Sequence, residues 1–395
     1  MQINQSWKYA LLILAIFFVS INLRPAITSI GPLLTTIGGS LQVSSTQMSL
    51  LTSIPVFCMG LFAPLAVPLQ KKFGYRNAIV FFVFLIGIAT LARIYFINYS
   101  GLLITSFVVG IGIANISPMM NAFIKEKFPT KFGSVIGVYS FAMGFGATIS
   151  AGFTGIFYEQ FHSNWALALG VWGILAFVAI LCWLVAVGGN QTVEVGQNQT
   201  EEVRNPWKNK QAWAILLYFG LQTSLFFSLT TWLASIAMEQ GMTLLIAGSV
   251  LTLMSVVQLV GNIFIPVVMN HYPNRIKWLA SLIGIGFIAA FIFFIDTNWA
   301  IWTSAVLFGV VLSGLFPIGL MLPLDEAKNN QEANAWSSMV LSGGFMMGAI
   351  IPLVIGVIFD MTGNHLMTKV VIVLLFIALA ISVLIMKSLK RVQYA

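Results

Sequence analysis

Arg24 stands within "VSINLRPAITSIGPLL", residues 19–34, a stretch otherwise apolar enough to cross a membrane. A guanidinium in hydrocarbon costs about 2.5–3.5 kcal/mol even on lenient insertion scales. Two chemistries suit such a residue. As a binding group, Arg24 presents a planar fork of five donors that grips a carboxylate or a similar anion. As a structural group, it donates to carbonyls freed at Pro25 or snorkels outward to the headgroups. Counted from residue 8 at 1.5 Å per residue, Arg24 lies about 24 Å along its helix, beyond the midplane but still in hydrocarbon.

The acidic residues lie elsewhere. All eleven Asp and Glu side chains fall in loops or at the ends of apolar runs, as do His162, His271 and His365. Proton-coupled carriers commonly hold a titratable group inside the membrane. A lone embedded arginine instead suits an anionic or strongly polar solute that supplies the missing charge itself, and suits cation-drug efflux poorly.

Other polar residues near mid-depth extend the candidate binding set. Asn22 and Thr28 accompany Arg24 on the first apolar run, Thr28 one helical turn further on. Asn115 falls on the fourth run, Tyr139 on the fifth, Gln222 on the seventh, Gln258 and Asn262 on the eighth, and Trp336 near the inner end of the eleventh. Phe226, Phe227 and Trp232 add aromatic surface on the seventh. Amides and hydroxyls suit a desolvated polar solute, and rings suit a flat one. Taken singly, each serves interhelical hydrogen bonding or packing equally well.

Composition fixes what must position these residues. Of 395 residues, 59% are hydrophobic and 8% charged, and the mean hydropathy is +0.95. Soluble domains carry about 25% charged residues, so the chain is read as a multi-pass membrane protein. A span needs about 20 apolar residues. Runs of that kind lie near 8–34, 47–69, 78–97, 101–123, 133–158 and 165–187, then near 211–236, 243–269, 277–295, 298–323, 332–359 and 368–388. The pattern predicts an all-α membrane protein of twelve transmembrane helices in two six-helix bundles. Residues 1–187 form the first bundle, 188–210 a hydrophilic cytoplasmic linker and 211–395 the second bundle.

The net charge of +8 is topological. With the N-terminus inside, Lys8, Lys71, Lys72, Arg76, Lys125, Lys127, Lys131, Arg204, Lys208 and Lys210 collect on the cytoplasmic face, with Arg275, Lys277, Lys328, Lys387, Lys390 and Arg391. The outer side keeps only Lys369 and, near the end of the third span, Arg93. This bias places both termini in the cytoplasm and the protein in the cell membrane. It leaves no basic patch for nucleic acid. Cys58 and Cys182 sit in apolar runs as small hydrophobes rather than a disulfide pair. No cleavable signal is expected, because the first run continues into Arg24–Pro25 without a small-residue cleavage site.

The halves repeat. "GIGIANISP" (Gly110–Pro118) aligns with "GVVLSGLFP" (Gly309–Pro317), and "GATISAGFTGIF" with "GAIIPLVIGVIF", at similar offsets. A duplicated six-helix unit is what a central site opening alternately to either side requires.

Twelve spans, the repeat and the central linker resemble the major facilitator superfamily over the whole chain. "PLQKKFGYRNAIV" is similar to that superfamily's signature loop, with Lys72, Gly74 and Arg76 matching its basic-x-Gly-x-basic core. Lys71 stands where the customary acid would precede it. "NLRPAITSIGPLL" and "YFGLQTSLFFSLTTWL" resemble the cyanate and 2-nitroimidazole permease branch. The resemblance implies a transporter of small solutes. It also implies that Lys72, Gly74 and Arg76 form a gating loop.

No metal cluster, phosphate loop or nucleophile–base set is present, and "GIGIAN" lies within a span with no strand before it. The expectation is a non-enzymatic, cofactor-free secondary transporter working by alternating access. It binds a small anion or compact polar solute, is embedded in the lipid bilayer, and acts as a monomer. Multidrug efflux is the alternative. A channel or membrane sensor fits the repeat and short loops less well. Reporter fusions placed after Lys131 and after Lys390 should both report the cytoplasmic side; an external signal from either would overturn the topology.

Overall fold

The structure, a computed structural model, describes residues 5–188, 204–271, 274–328 and 330–393. Most of the expected linker, 189–203, lies outside the described residues. The described residues hold helices and turns but no strand. Among the described residues, eleven helices are long and apolar enough to cross a membrane. The remaining crossing starts with Ser45–Leu61, which is 17 residues long.

Two spans are broken within their expected bounds, each for a backbone reason. The first span was expected to run unbroken over 8–34. It divides instead into Gln5–Ile21, the single turn Pro25–Thr28 and Ile30–Leu41. The second, expected over 47–69, pauses at Leu61 and resumes at Ala66 before the turn at Gly74. Pro64 there lacks the N–H that would bond the carbonyl of Gly60, and a 3₁₀ turn, Ala63–Leu65, intervenes. Span 3 belongs to the helix Ala66–Ala92, which is interrupted at Gly74, with φ 71° and ψ 162°. Only glycine adopts that conformation without strain, so Gly74 makes the turn between spans 2 and 3.

The other crossings are Tyr99–Lys127, Phe132–Gln160 and a sixth made of Trp165–Gly170 with Ile174–Ala186. They are followed by Lys210–Glu239, Leu244–His271, Arg275–Ile292 and Asn298–Glu326. The eleventh divides into Asn330–Gly348 and Ile350–Thr362, and the twelfth is Leu366–Gln393.

Within the first six, span 1 packs on spans 5 and 6, and span 4 on spans 2 and 3; within the second six, span 10 packs on spans 8 and 9, and span 7 on spans 11 and 12. The repeated glycines hold equivalent places. A Cβ on Gly110 would meet Pro55 of span 2 at 2.7 Å, and one on Gly309 would meet Met254 of span 8 at 2.6 Å. Between the halves, span 5 lies against span 8, span 2 against span 11, and span 1 against span 7.

At the end away from the basic loops the halves are clasped. Asp360, at the end of span 11, accepts from the backbone N–H of Ser45 (2.7 Å) and Thr46 (2.8 Å) and from the Thr46 hydroxyl (2.5 Å). These amides open span 2, where the helix has no internal acceptors for them and its dipole favours an anion.

At the same end, the His365 ring is buried against Phe359 at 4.3 Å and Trp232 at 5.5 Å, and shares a hydrogen bond with Thr368. Glu239 accepts its backbone N–H at 3.1 Å. Burial, with nearby Lys369 adding repulsion, pushes the imidazole down to about 4. The folded protein therefore keeps His365 neutral, while the unfolded chain binds a proton below about pH 6.5. This contribution is whole above that pH and is lost as pH falls toward 4. Melting temperature should drop over that window more steeply in the parent than in His365→Gln; equal slopes would contradict the assignment.

Candidate functional site

The break in span 1 carries the site. Pro25 has no N–H, so the carbonyl of Ile21 loses its helical donor. Asn22 and Leu23 bond back to Val19 and Ser20 as a tight turn, and the helix restarts with Ile27 and Thr28 donating to the Arg24 carbonyl. Span 5 closes on the freed Ile21 carbonyl at Gly146, where a Cβ would collide with it.

A second arginine braces the restarted turn. Arg93, at the end of span 3, is fully buried and donates to the Ala26 carbonyl at 2.8 Å. It also donates to Ser106 at 3.2 Å and to Thr105 at 3.4 Å. The sequence alone had counted Arg93 among the outer-side charges. Its environment is the protein interior, and it performs the carbonyl-bonding work considered above for Arg24.

Arg24 is placed differently. Its guanidinium lies 5.5 Å from the Phe226 ring and 5.6 Å from the Phe227 ring. Its Nη1 is buried with no hydrogen-bond partner, and no carboxylate pairs with it among the described residues. Cation–π attraction offsets part of the desolvation, but ring faces cannot accept all the donors of the fork.

The guanidinium lines a cavity of about 700 Å³ between the two halves. Thr28, Gln222, Gln258 and Asn262 line it too, with Thr223, Thr230 and Ser255 as further polar groups. Two acceptors on its wall, Gln222 Oε1 and Asn262 Oδ1, are buried without partners. Phe141, Phe226, Phe227, Phe316 and Phe345 supply aromatic surface. Arg24 is the only charged side chain lining it among the described residues.

The cavity widens toward the basic loops. Spans 5 and 8 touch at Gly144, where a Cβ would sit 2.7 Å from Leu259, and at Gly152, 3.1 Å from Thr252. At Gly137 and Gly133, nearer the start of span 5, nothing lies within 4 Å. Past Arg24 the cleft ends, because Gly31 of span 1 packs directly on the Thr230 carbonyl of span 7.

Four candidates lie outside the cavity wall. The Asn22 amide donates to Phe18 at 2.7 Å and to Leu175 at 3.2 Å, tying span 1 to span 6. Asn115 donates to its own helix at Ile111. Tyr139 is buried behind the wall, bonded to Ser117 and within electrostatic reach of Arg24. Trp336 stacks on Arg204 at 5.2 Å and donates to the Arg204 carbonyl, at the end of span 11 where Glu332 pairs with that arginine. Trp232 likewise donates to Pro352 rather than facing the cleft. In the proposed gating loop, Arg76 donates to the Val187 carbonyl at 3.0 Å, and Lys72 lies over the Phe73 ring.

Residues 10–349 match the family model of the Major Facilitator Superfamily. The uncharacterized transporter YycB of Bacillus subtilis (strain 168) is 30% identical over 92% of this chain and 90% of its own length. The cyanate transport protein CynX of Escherichia coli (strain K12) is 28% identical, covering 90% and 92%. The 2-nitroimidazole transporter of the same organism is 27% identical, covering 94% and 93%. Among solved structures, a bacterial homologue of the human lysosomal transporter Spinster, in an inward-facing and unoccupied conformation, shares the fold with a TM-score of 0.75 at 14% identity, covering 97% of each chain. The nucleoside transporter NupG does so with 0.76 at 11%, covering 95% and 99%.

Replacing Arg93 tests its bracing role. Arg93→Met keeps the bulk but removes every donor to Ala26, and should cost about 1–3 kcal/mol, as for a buried acceptor left unmatched. Thermal unfolding in detergent reads the loss, and Arg93→Lys should recover part of it. An unchanged melting temperature in Arg93→Met would refute the brace.

Proposed function

The chain belongs to the Major Facilitator Superfamily, and from that premise we propose that this membrane transporter carries a small anion or compact polar solute. The solute is cyanate- or nitroimidazole-like, and it moves by alternating access of the two six-helix bundles. One observation carries this reading: Arg24 Nη1, buried and unpartnered, on the wall of a cavity between the halves. A planar anion satisfies that fork in a bidentate geometry. The amides of Gln222, Gln258 and Asn262 then meet the rest of the solute, and Phe226 and Phe227 bound it with flat apolar faces. Relatives named for cyanate and for 2-nitroimidazole support a solute of this size and polarity.

Multidrug efflux is the second reading, favoured by the aromatic breadth of the cavity. The sign of its single charge weighs against cationic drugs, since a fixed guanidinium repels them. In the orientation set by the basic loops, both termini are cytoplasmic and the cavity mouth faces the cytoplasm. Residues 1–187 and 211–395 then act as the two rocking bodies, joined through 188–210.

Arg24 variants test the proposal by calorimetric titration of folded, monodisperse protein with cyanate. Arg24→Lys should bind more weakly than the parent, because an ammonium keeps the charge but loses the fork. Arg24→Ala should weaken binding by about tenfold to a hundredfold, the loss of a charged hydrogen bond of about 1.5–3 kcal/mol. Parental affinity in Arg24→Ala would sink the anchor.

A further inference from the structure

The inference drawn here rests on the anion reading above and concerns the return half of the transport cycle. Alternating access passes through a state in which the cleft is shut at both ends. The far end is already shut, by Gly31 against Thr230 and by the Asp360 clasp. Shutting the mouth brings together the facing walls of spans 5, 8 and 10. Those walls carry Ile136, Ile263, Met321 and Leu324, with Ser134 and Asn262 among them, so closure brings mostly apolar surface together beside Arg24.

Charge accounting then separates the loaded carrier from the unloaded one. With a monovalent anion on Arg24, the occluded site is net neutral and hydrogen-bonded. Without one, the same closure seals a guanidinium among Phe226, Phe227, Thr28 and Gln222, with no carboxylate lining the site among the described residues. Glu126 and Glu159 lie at the ends of spans 4 and 5, Glu239 accepts from the backbone of His365, and Asp325 at the rim of the mouth pairs with Arg275 at 3.2 Å. None of these lines the cavity with Arg24. A charge left unpaired on burial raises the energy of the state that holds it far more than a paired one does.

We infer that this transporter is an obligatory anion exchanger: Arg24 lets the bundles rock only while an anion neutralises it, so each anion carried one way is traded for one carried back. The unloaded carrier stays at whichever side released its solute. Because a one-for-one trade of monovalent anions moves no net charge, exchange proceeds without regard to membrane voltage.

Cyanate is the probe, and the full chain is reconstituted into lipid vesicles after its cyanate binding has been measured by calorimetry. Labelled cyanate should enter vesicles preloaded with unlabelled cyanate about a hundredfold faster than vesicles holding only zwitterionic buffer. A potassium diffusion potential of either sign should leave the exchange rate unchanged. If the parent binds cyanate through Arg24 yet fills both kinds of vesicle equally fast, exchange is wrong and the anion site stands. If the parent binds neither cyanate nor formate, the anion site falls and the exchange with it.

A second measurement reads the conformational lock directly. Fluorophores at Gln42 and Met361, exposed on opposite halves at the clasped end, should hold one distance throughout each single-molecule trace of the anion-free parent and switch between two on adding cyanate. Arg24→Gln should switch without any anion. Switching between two distances in the anion-free parent would overturn the proposal.

Discussion

Hydrocarbon offers no partner to a backbone group that loses its own, and the first span of this protein breaks inside hydrocarbon. Everything at the site follows from how that break is repaired. Pro25 ends the helix at Ile21, the short turn Pro25–Thr28 restarts it, and Arg93 reaches across from span 3 to hold the carbonyl of Ala26. Gly146 lets span 5 lie directly on the Ile21 carbonyl. The kink turns Arg24 into the cleft, where its guanidinium faces two phenyl rings and its Nη1 has no hydrogen-bond partner. Two arginines embedded in one bundle thus divide the labour: one spends its donors on the fold, the other keeps them for a solute.

The same economy of small residues shapes the boundary between the halves. Gly31 and Gly60 each put bare backbone against a carbonyl of the other half. Such contacts carry no interdigitating side chains, so they can slide and part without rotamer changes. Spans 5 and 8 diverge along their length, from contact at Gly152 and Gly144 to open space at Gly137 and Gly133. Their divergence is the cleft.

Much of the architecture was legible because membrane spans announce themselves by length and polarity. Breaks within spans were less so: the prolines at 25 and 64 interrupt spans 1 and 2, and both act through the backbone rather than through hydropathy. At the site, depth was readable but helical phase was not. Thr28, Gln222, Gln258 and Asn262 share the cavity wall with Arg24, while Asn22 at the same depth points to span 6 and Tyr139 sits one layer back. Asn115 turns onto its own helix, and Trp336 is held at the helix end by Arg204, whose segment is far away in sequence. Arg93 went unrecognised as an interior residue, although a clue was present. The hairpin of spans 3 and 4 brings position 93 beside Thr105 and Ser106, two hydroxyls ready to receive it.

The clasp at the far end has an evolutionary asymmetry built into it. Asp360 is a side chain, but two of its three partners are main-chain amides of Ser45 and Thr46. Amides survive almost any substitution, so drift at those two positions barely weakens the grip, and only a proline would delete a donor. Selection that loosens or tightens this clasp therefore acts chiefly through one codon, that of Asp360. A single-residue dial of that kind lets descendants retune how readily they open without touching the residues that choose what they carry.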